Sequence, residues 1–378
     1  MKKSNVTLIA AVLIVVHVLV FVIVIGSRSD KRDMPAKTSA PLQQAPSNPI
    51  PDIAAEFRVP ELNFDPPVRT AENVIPVEVA GLPEGKLRRT IAIPVNRDGY
   101  LRSDRPNRRT SKVYSNLTGN PYRSAIVVDA GTGRILYQDR AGDYAYPASV
   151  TKLMTMLIVL EQVDAGIISL TDSVKITKEG TAVGGSQVYL DTRESGAFSV
   201  GDLLNALIIH SANDAARVLG IHVAGSKEAF VDMMNQKARE LGMNSTVYHS
   251  EHGLPPSGGR QPDISTAYDI ALLSLATLRH PQTLRYTGTK LTYLPLSPIR
   301  PEKFMLANRN ALVGQDPYPG CDGLKTGYHS KGGWSLAATA ERNGERGIAV
   351  LLGCPDKNTR NATAKKLLDR GFNALGKQ

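Results

Sequence analysis

An α/β fold, one antiparallel sheet with flanking helices and a helical lobe inserted between its strands, is predicted from residue 124 of this 378-residue sequence onward. Three observations carry that expectation. Strand patterns stand at both ends of the stretch, helical patterns fill its middle, and Asn343-Gly344 marks a tight hairpin between the last two strands.

Taken in order, residues 125–129 (AIVVD) and 135–138 (ILYQ) flank Gly131-Thr132-Gly133 and read as a β-hairpin. A helix follows Pro147, a residue suited to a helix start. Residues 153–160 are apolar nearly all round, the signature of a helix at the centre of a core. Helical patterns dominate residues 200–278, and residues 334–341 and 347–353 form the strands on either side of Asn343-Gly344. The final helix, residues 361–375, sets Leu367, Leu368, Phe372 and Leu375 on one side.

The N-terminal third is different. Residues 6–25 form twenty consecutive positions without a formal charge, enough at about 1.5 Å per residue to cross a bilayer core of roughly 30 Å. An uncleaved signal anchor over residues 6–26 is expected, with residues 1–5 cytosolic and the rest of the chain on the extracytoplasmic side. Val24 and Gly26 leave a weak cleavage site open. Residues 27–123 read as a Pro-rich, irregular stalk, because 12 of the 24 prolines lie between Pro35 and Pro106. Short alternations at residues 74–79 and 90–95 are candidate strands that could pair against a domain.

The net charge is +10, and residues 1–123 hold 18 Lys+Arg against 11 Asp+Glu. The excess is therefore mostly a property of the stalk, so nucleic acid is not an expected partner; anionic lipid, wall polymer or a merely solvated linker fits a basic tether. Two cysteines exclude a disulfide scaffold. Cys321 would start one meander strand and Cys354 would end another at the far side, beyond the ~7 Å limit for pairing, so free thiols are expected.

Three short motifs carry chemistry. Ser149 and Lys152 sit three apart at a helix start, so the lysine amine can reach the hydroxyl. Lysine is a base only if its pKa is lowered, and the apolar helix around it supplies burial. Ser211 and Asn213 lie at a helix junction, where a hydroxyl and a carboxamide two apart can face one cleft. Lys325-Thr326-Gly327 precedes a strand and would suit a carboxylate, with the glycine letting a ligand approach the backbone. Each motif alone has an ordinary reading as a solvated lysine, a cap or a turn.

In this order, separated by 62 and then 114 residues, the three resemble the active-site set of serine penicillin-binding proteins and β-lactamases. The segments YPASVTKLMT, IIHSANDAA, FVDMMNQKARELGM, HGLP, STAYDIALL and DGLKTGY resemble the low-molecular-mass D-alanyl-D-alanine carboxypeptidases. The resemblance implies a penicillin-binding-protein-like fold and a D,D-peptidase catalytic domain over residues 124–378, acting on peptidoglycan stem peptides and inhibited by β-lactams, with no cofactor or metal. It implies Ser149 as nucleophile, Lys152 as its base and Ser211 as proton relay. Asn213 would hold the substrate amide, Lys325, Thr326 and Gly327 the terminal carboxylate, and the N–H groups of Ser149 and Tyr328 the oxyanion. Arg360, placed just before the final helix, matches an arginine that assists carboxylate binding in some relatives.

A D,D-endopeptidase, a β-lactamase and a non-catalytic wall-binding scaffold remain as alternatives; no Glu-x-x-Leu-Asn motif supports the β-lactamase. Many relatives add a β-rich domain and a C-terminal amphipathic anchor, whereas 51 residues follow Gly327 here, so the N-terminal span is expected to replace that anchor. His329 and Gly333-Trp334-Ser335 depart from the relatives' Thr and Gly-Tyr-Asn. His249 and His252 lack the His-Glu-x-x-His order of a zinc site, His210 reads as a packed or half-exposed histidine, and Asp214 as a cap or local partner.

Overall fold

Strand side chains alternate between two faces, and in this chain both faces are covered. The computed structural model describes the backbone of residues 74–77 and 89–90, and residues 91–95, 97–104, 119–255 and 261–376 in full. The anchor expected at residues 6–26 and most of the stalk lie outside the described residues. Among the described residues, no helix is long and apolar enough to cross a membrane.

Two strands, β1 (Val74–Val77) and β2 (Arg89–Ala92), pair antiparallel. The central sheet has five antiparallel strands in the order β4 (Ile135–Asp139), β3 (Ser124–Asp129), β9 (Glu345–Cys354), β8 (Gly333–Arg342), β7 (Cys321–His329). The first and last parts of the globular stretch thus meet in one sheet, with Val127 opposite Ala349 and Ala349 opposite Ala338. Asn343 and Gly344 both take positive φ, 53° and 81°, as a two-residue hairpin turn requires.

Helices between the strands form the lobe: α1 (Lys152–Asp164), α2 (Lys178–Thr181), α3 (Val200–Asn205), α4 (Asn213–Ala224), α5 (Lys227–Glu240), α6 (Ala267–Arg279) and α7 (Thr283–Thr287). A small hairpin, β5 (Leu291–Leu294) and β6 (Phe304–Ala307), follows, and α8 (Lys357–Leu375) ends the described chain. Ile126, Val128, Ala337, Ile348 and Val350 join the larger core with the apolar sides of α1 and α6. Their neighbours Ala125, Val127, Leu336, Ala338, Ala349 and Leu351 face Ala364, Leu367 and Leu368 of α8. Each buried leucine there stabilises by about 2 kcal/mol. The alanines let α8 approach closely, and a Cβ on its Gly371 would lie 2.8 Å from Val127 Cγ1.

The final helix begins earlier than residue 361. Asp356 caps it by accepting the N–H groups of Asn358 and Thr359 at 2.8 and 2.9 Å, so Arg360 lies inside its first turn rather than before it. The helical run expected over residues 200–278 is also interrupted, since residues 241–255 and 261–266 form no helix. Gly242, with φ 72°, turns the chain there, and a Cβ on it would meet Ser103 O at 2.1 Å.

That contact belongs to a segment assigned from sequence to the stalk. Residues 91–95 and 97–104 pack on the sheet and α6: Ala92 N–H donates to Ala130 O (2.7 Å), Leu101 N–H to Gly133 O (2.8 Å), and Arg102 N–H to Tyr268 Oη (2.8 Å). Ile91 and Leu101 are core residues. Cys321 opens β7 opposite Ala340 and Cys354 closes β9 opposite Trp334, so the two free thiols sit at opposite ends of the sheet.

Candidate active site

Ser149 lies in a 3-10 turn, Ala148–Thr151, that leads into α1. Pro147 sets its entry, and Ala148 takes φ 51°, an uncommon conformation for a residue with a Cβ. Ser149 is half-buried while Lys152, one turn on, is fully buried. Lys152 Nζ lies 2.9 Å from Ser149 Oγ, 2.7 Å from Asn213 Oδ1 and 2.7 Å from His252 O. A neutral amine has two N–H groups and one lone pair. Two carbonyl acceptors take the N–H groups and leave the lone pair aimed at the Ser149 hydroxyl.

Asn213 and Ser211 come from a break between helices. A π-type turn, Ala206–His210, continues α3 and ends at Ser211 in the left-handed region, φ 66°. The next helix then starts at Asn213, whose Nδ2 donates to Gly184 O at 2.7 Å while Oδ1 accepts from Lys152. Among the described residues, Gly184 O is the one acceptor hydrogen-bonded to Asn213 Nδ2. Ser211 Oγ accepts from Lys325 Nζ at 2.9 Å, and Lys325 also donates to Thr326 O at 3.0 Å. Ser211 is thus joined to Lys325 rather than to Lys152.

Lys325, Thr326 and Gly327 are buried on β7, and Tyr328 is 55% exposed at the rim, its ring 4.4 Å from that of Trp334. The reason for glycine at 327 differs from the sequence expectation. The space beside it is filled by the nucleophile turn, and a Cβ would meet Pro147 O at 2.4 Å. Arg360 is buried; its Nε and Nη2 donate to Asn361 Oδ1 at 3.0 and 2.7 Å, and its guanidinium lies over Trp334 at 5.7 Å. Among the described residues no hydrogen bond joins Arg360 to β7, so its action on Lys325 is electrostatic.

Burial sets the charge states. It pushes Lys152 down to about 7, against the opposing pull of Glu251, Asp263 and Asp214. Lys325 is held well below the ordinary lysine value by burial, then by repulsion from Lys152, Arg360 and Arg309. Burial also pushes His252 well below its usual range, with Lys152 and Arg217 adding to it. Asp263 is raised to about 7 by burial; it accepts the N–H groups of His249 and Ser250 (2.8 and 3.0 Å) and the Thr151 hydroxyl (2.9 Å).

His249 and His252 do not converge: His249 N–H goes to Asp263, while the His252 ring faces Arg217. Among the described residues no cluster of His, Cys, Asp or Glu could hold a metal ion. His210 is half-buried against Phe304 and pushed down to about 4, chiefly by burial. Asp214 accepts the N–H groups of Val188, Leu190 and Ala215, pinning the 188–190 loop. His329 is buried against Tyr146 and accepts the N–H groups of Lys331 and Gly332, closing the β7–β8 turn. Sequence reasoning missed the acceptors His252 O and Gly184 O, because a backbone carbonyl has no residue-type signature.

The sequence pattern of the D-alanyl-D-alanine carboxypeptidase family matches residues 120–356. D-alanyl-D-alanine carboxypeptidase DacF of Bacillus subtilis is 36% identical over 250 residues, 66% of this chain and 62% of the relative. The DacC protein of Escherichia coli is 35% identical over 66% of this chain and 61% of its own. The match therefore spans less than two thirds of these curated relatives' length. Penicillin-binding protein D2 of Listeria monocytogenes, solved in an ampicillin-bound form, superposes with a TM-score of 0.59 at 31% identity, covering 68% of this chain and 100% of the other. Penicillin-binding protein 5 of Haemophilus influenzae superposes with a TM-score of 0.61 at 30% identity, covering 68% and 72%.

Proposed function

Because the chain belongs to the D-alanyl-D-alanine carboxypeptidase family, we propose that it removes the terminal D-Ala from peptidoglycan stem peptides and is acylated by β-lactams at Ser149. The observation that carries this reading is the 2.9 Å approach of the buried Lys152 amine to Ser149 Oγ. Lys152 takes the hydroxyl proton as Oγ bonds to the D-Ala–D-Ala carbonyl carbon. The backbone N–H groups of Ser149 and Tyr328 hold the oxyanion. The C–N bond then breaks as the departing D-Ala amine takes up, through the Ser211 hydroxyl that Lys325 orients, the proton that Lys152 took from Ser149; water then hydrolyses the Ser149 ester, with Lys152 again the base. Asn213 holds the peptide amide, and Lys325 and Thr326 bind the terminal carboxylate beside Gly327, within the field of Arg360.

In the described residues no carboxylate is hydrogen-bonded to Ser149 or Lys152, which favours a long-lived penicilloyl ester over rapid β-lactam turnover. We place residues 6–26 as a membrane anchor and the catalytic part outside the cytoplasm, on the apolar run of the sequence. Ser149→Ala is expected to abolish both D-Ala release from a labelled pentapeptide and covalent labelling by penicillin. Retained labelling overturns the assignment, and preference for crosslinked over monomeric muropeptides would instead make it an endopeptidase.

A further inference from the structure

We propose that Arg217 is a positioning residue for this reaction: its guanidinium fixes the two carbonyl groups, His252 O and Asn213 Oδ1, that steer the Lys152 amine toward Ser149. The inference rests on the catalytic reading above for its consequence, but its geometry stands independently. Arg217 follows Asn213 by one turn of α4, so both side chains leave the same face. Its Nε donates to Glu251 Oε1 at 2.7 Å, and its Nη2 lies 3.0 Å from His252 Nε2. Its Nη1 donates to Ala182 O at 2.7 Å, in the loop whose Gly184 O anchors the Asn213 carboxamide. One planar group thereby ties α4 to the loop that supplies His252 O and to the loop that holds the Asn213 carboxamide. Its fork geometry suits three simultaneous contacts, which a single ammonium cannot reproduce in full.

The clamp also balances charge. Glu251 is buried, and the carboxylates that act on Lys152 are Glu251, Asp263 and, from α4, Asp214; Lys325 on β7 and the His252 ring are themselves pushed down by Lys152. Without Arg217, the Glu251 charge would favour the ammonium form of Lys152. A cavity of about 690 Å³ lined by Gly184, Arg217, Glu251 and His252 would then admit water to the groups that Arg217 holds.

The test follows the Lys152 amine directly, by NMR of its ¹³Cε signal across pH, beside penicillin acylation rates on the same chain. In Arg217→Met the titration midpoint is expected to rise by about one pH unit, lowering the neutral fraction at pH 7 about fivefold. In Arg217→Met/Glu251→Gln the midpoint returns toward wild type, while the high-pH acylation plateau stays about tenfold low because the carbonyls are no longer held. Arg217→Lys should restore part of both. If Arg217→Met does not fold, the double variant decides on its plateau. An unmoved midpoint with a plateau within twofold of wild type in a folded variant overturns the proposal. The NMR arm needs no turnover, so a wild-type chain inert to penicillin would count against the enzymatic reading and leave the clamp to be judged on its midpoint.

Discussion

Gly327 and Pro147 are in backbone contact: a Cβ on the glycine would sit 2.4 Å from the Pro147 carbonyl oxygen and 3.3 Å from Ala148 Cβ. Strand β7 therefore presses on the turn that carries Ser149 more closely than any side chain permits. Gly253 does the same from the other side, where a Cβ would lie within 1.9 Å of Ala148 O. The strained φ of Ala148 is thus held between two glycines, and the nucleophile is aimed by backbone packing.

Gly327→Ala tests that packing. If the strand yields, Lys325, Thr326 and the Tyr328 N–H move away from Ser149, and if the turn yields, Ser149 itself moves; a displacement near 1 Å costs on the order of a hundredfold in rate. The penicillin acylation rate is expected to fall by about that factor. A folded Gly327→Ala chain, judged by circular dichroism, that acylates within threefold of wild type would show that the contact is not needed.

The acylation rate is expected to rise with pH through about 7, the value to which burial lowers Lys152. The sign follows from its role, since only the neutral amine accepts the Ser149 proton, so activity is lost below that pH and levels off above it. Lys152→Arg should be inert at every pH, because a guanidinium does not deprotonate in a protein. Rates of fluorescent-penicillin labelling from pH 5 to 9 provide the check.

Asp263 predicts a stability effect of opposite origin. Its folded pKa, raised to about 7, exceeds that of an unfolded aspartate, so between roughly pH 4 and 7 the native state binds more protons than the unfolded one. Its contribution is therefore greatest at low pH and is lost as pH rises through 7. Relative to Asp263→Asn, which cannot ionise, the wild-type melting temperature should decline between pH 5 and 7.5. A difference in Tm that stays constant across this range would show that Asp263 is not neutral in the acid form of the protein.

Much of the fold was legible because its signals are local. The apolar runs of β3 and β9, Asn343-Gly344 between β8 and β9, and the all-round apolar α1 each announce an element within a few residues. The last helix was placed four residues late because its start depends on the Asp356 cap rather than on apolar spacing. Residues 91–104 read as stalk because their few buried side chains, Ile91 and Leu101 among them, match partners more than thirty residues away.

Residue types and spacing by themselves determined the family, the fold class and the candidates Ser149, Lys152, Ser211, Asn213 and Lys325, since hydroxyls, amines and carboxamides leave a mark in the chain. Only the tertiary structure decided how they connect. It joins Lys152 to Ser149, Asn213 and His252 O, and Ser211 to Lys325. It buries both lysines, and it gives Gly327 its purpose against Pro147. The physical reason is that burial, backbone carbonyls and close approach are properties of what surrounds a residue, and those surroundings come from parts of the chain as far apart in sequence as Pro147 and Gly327.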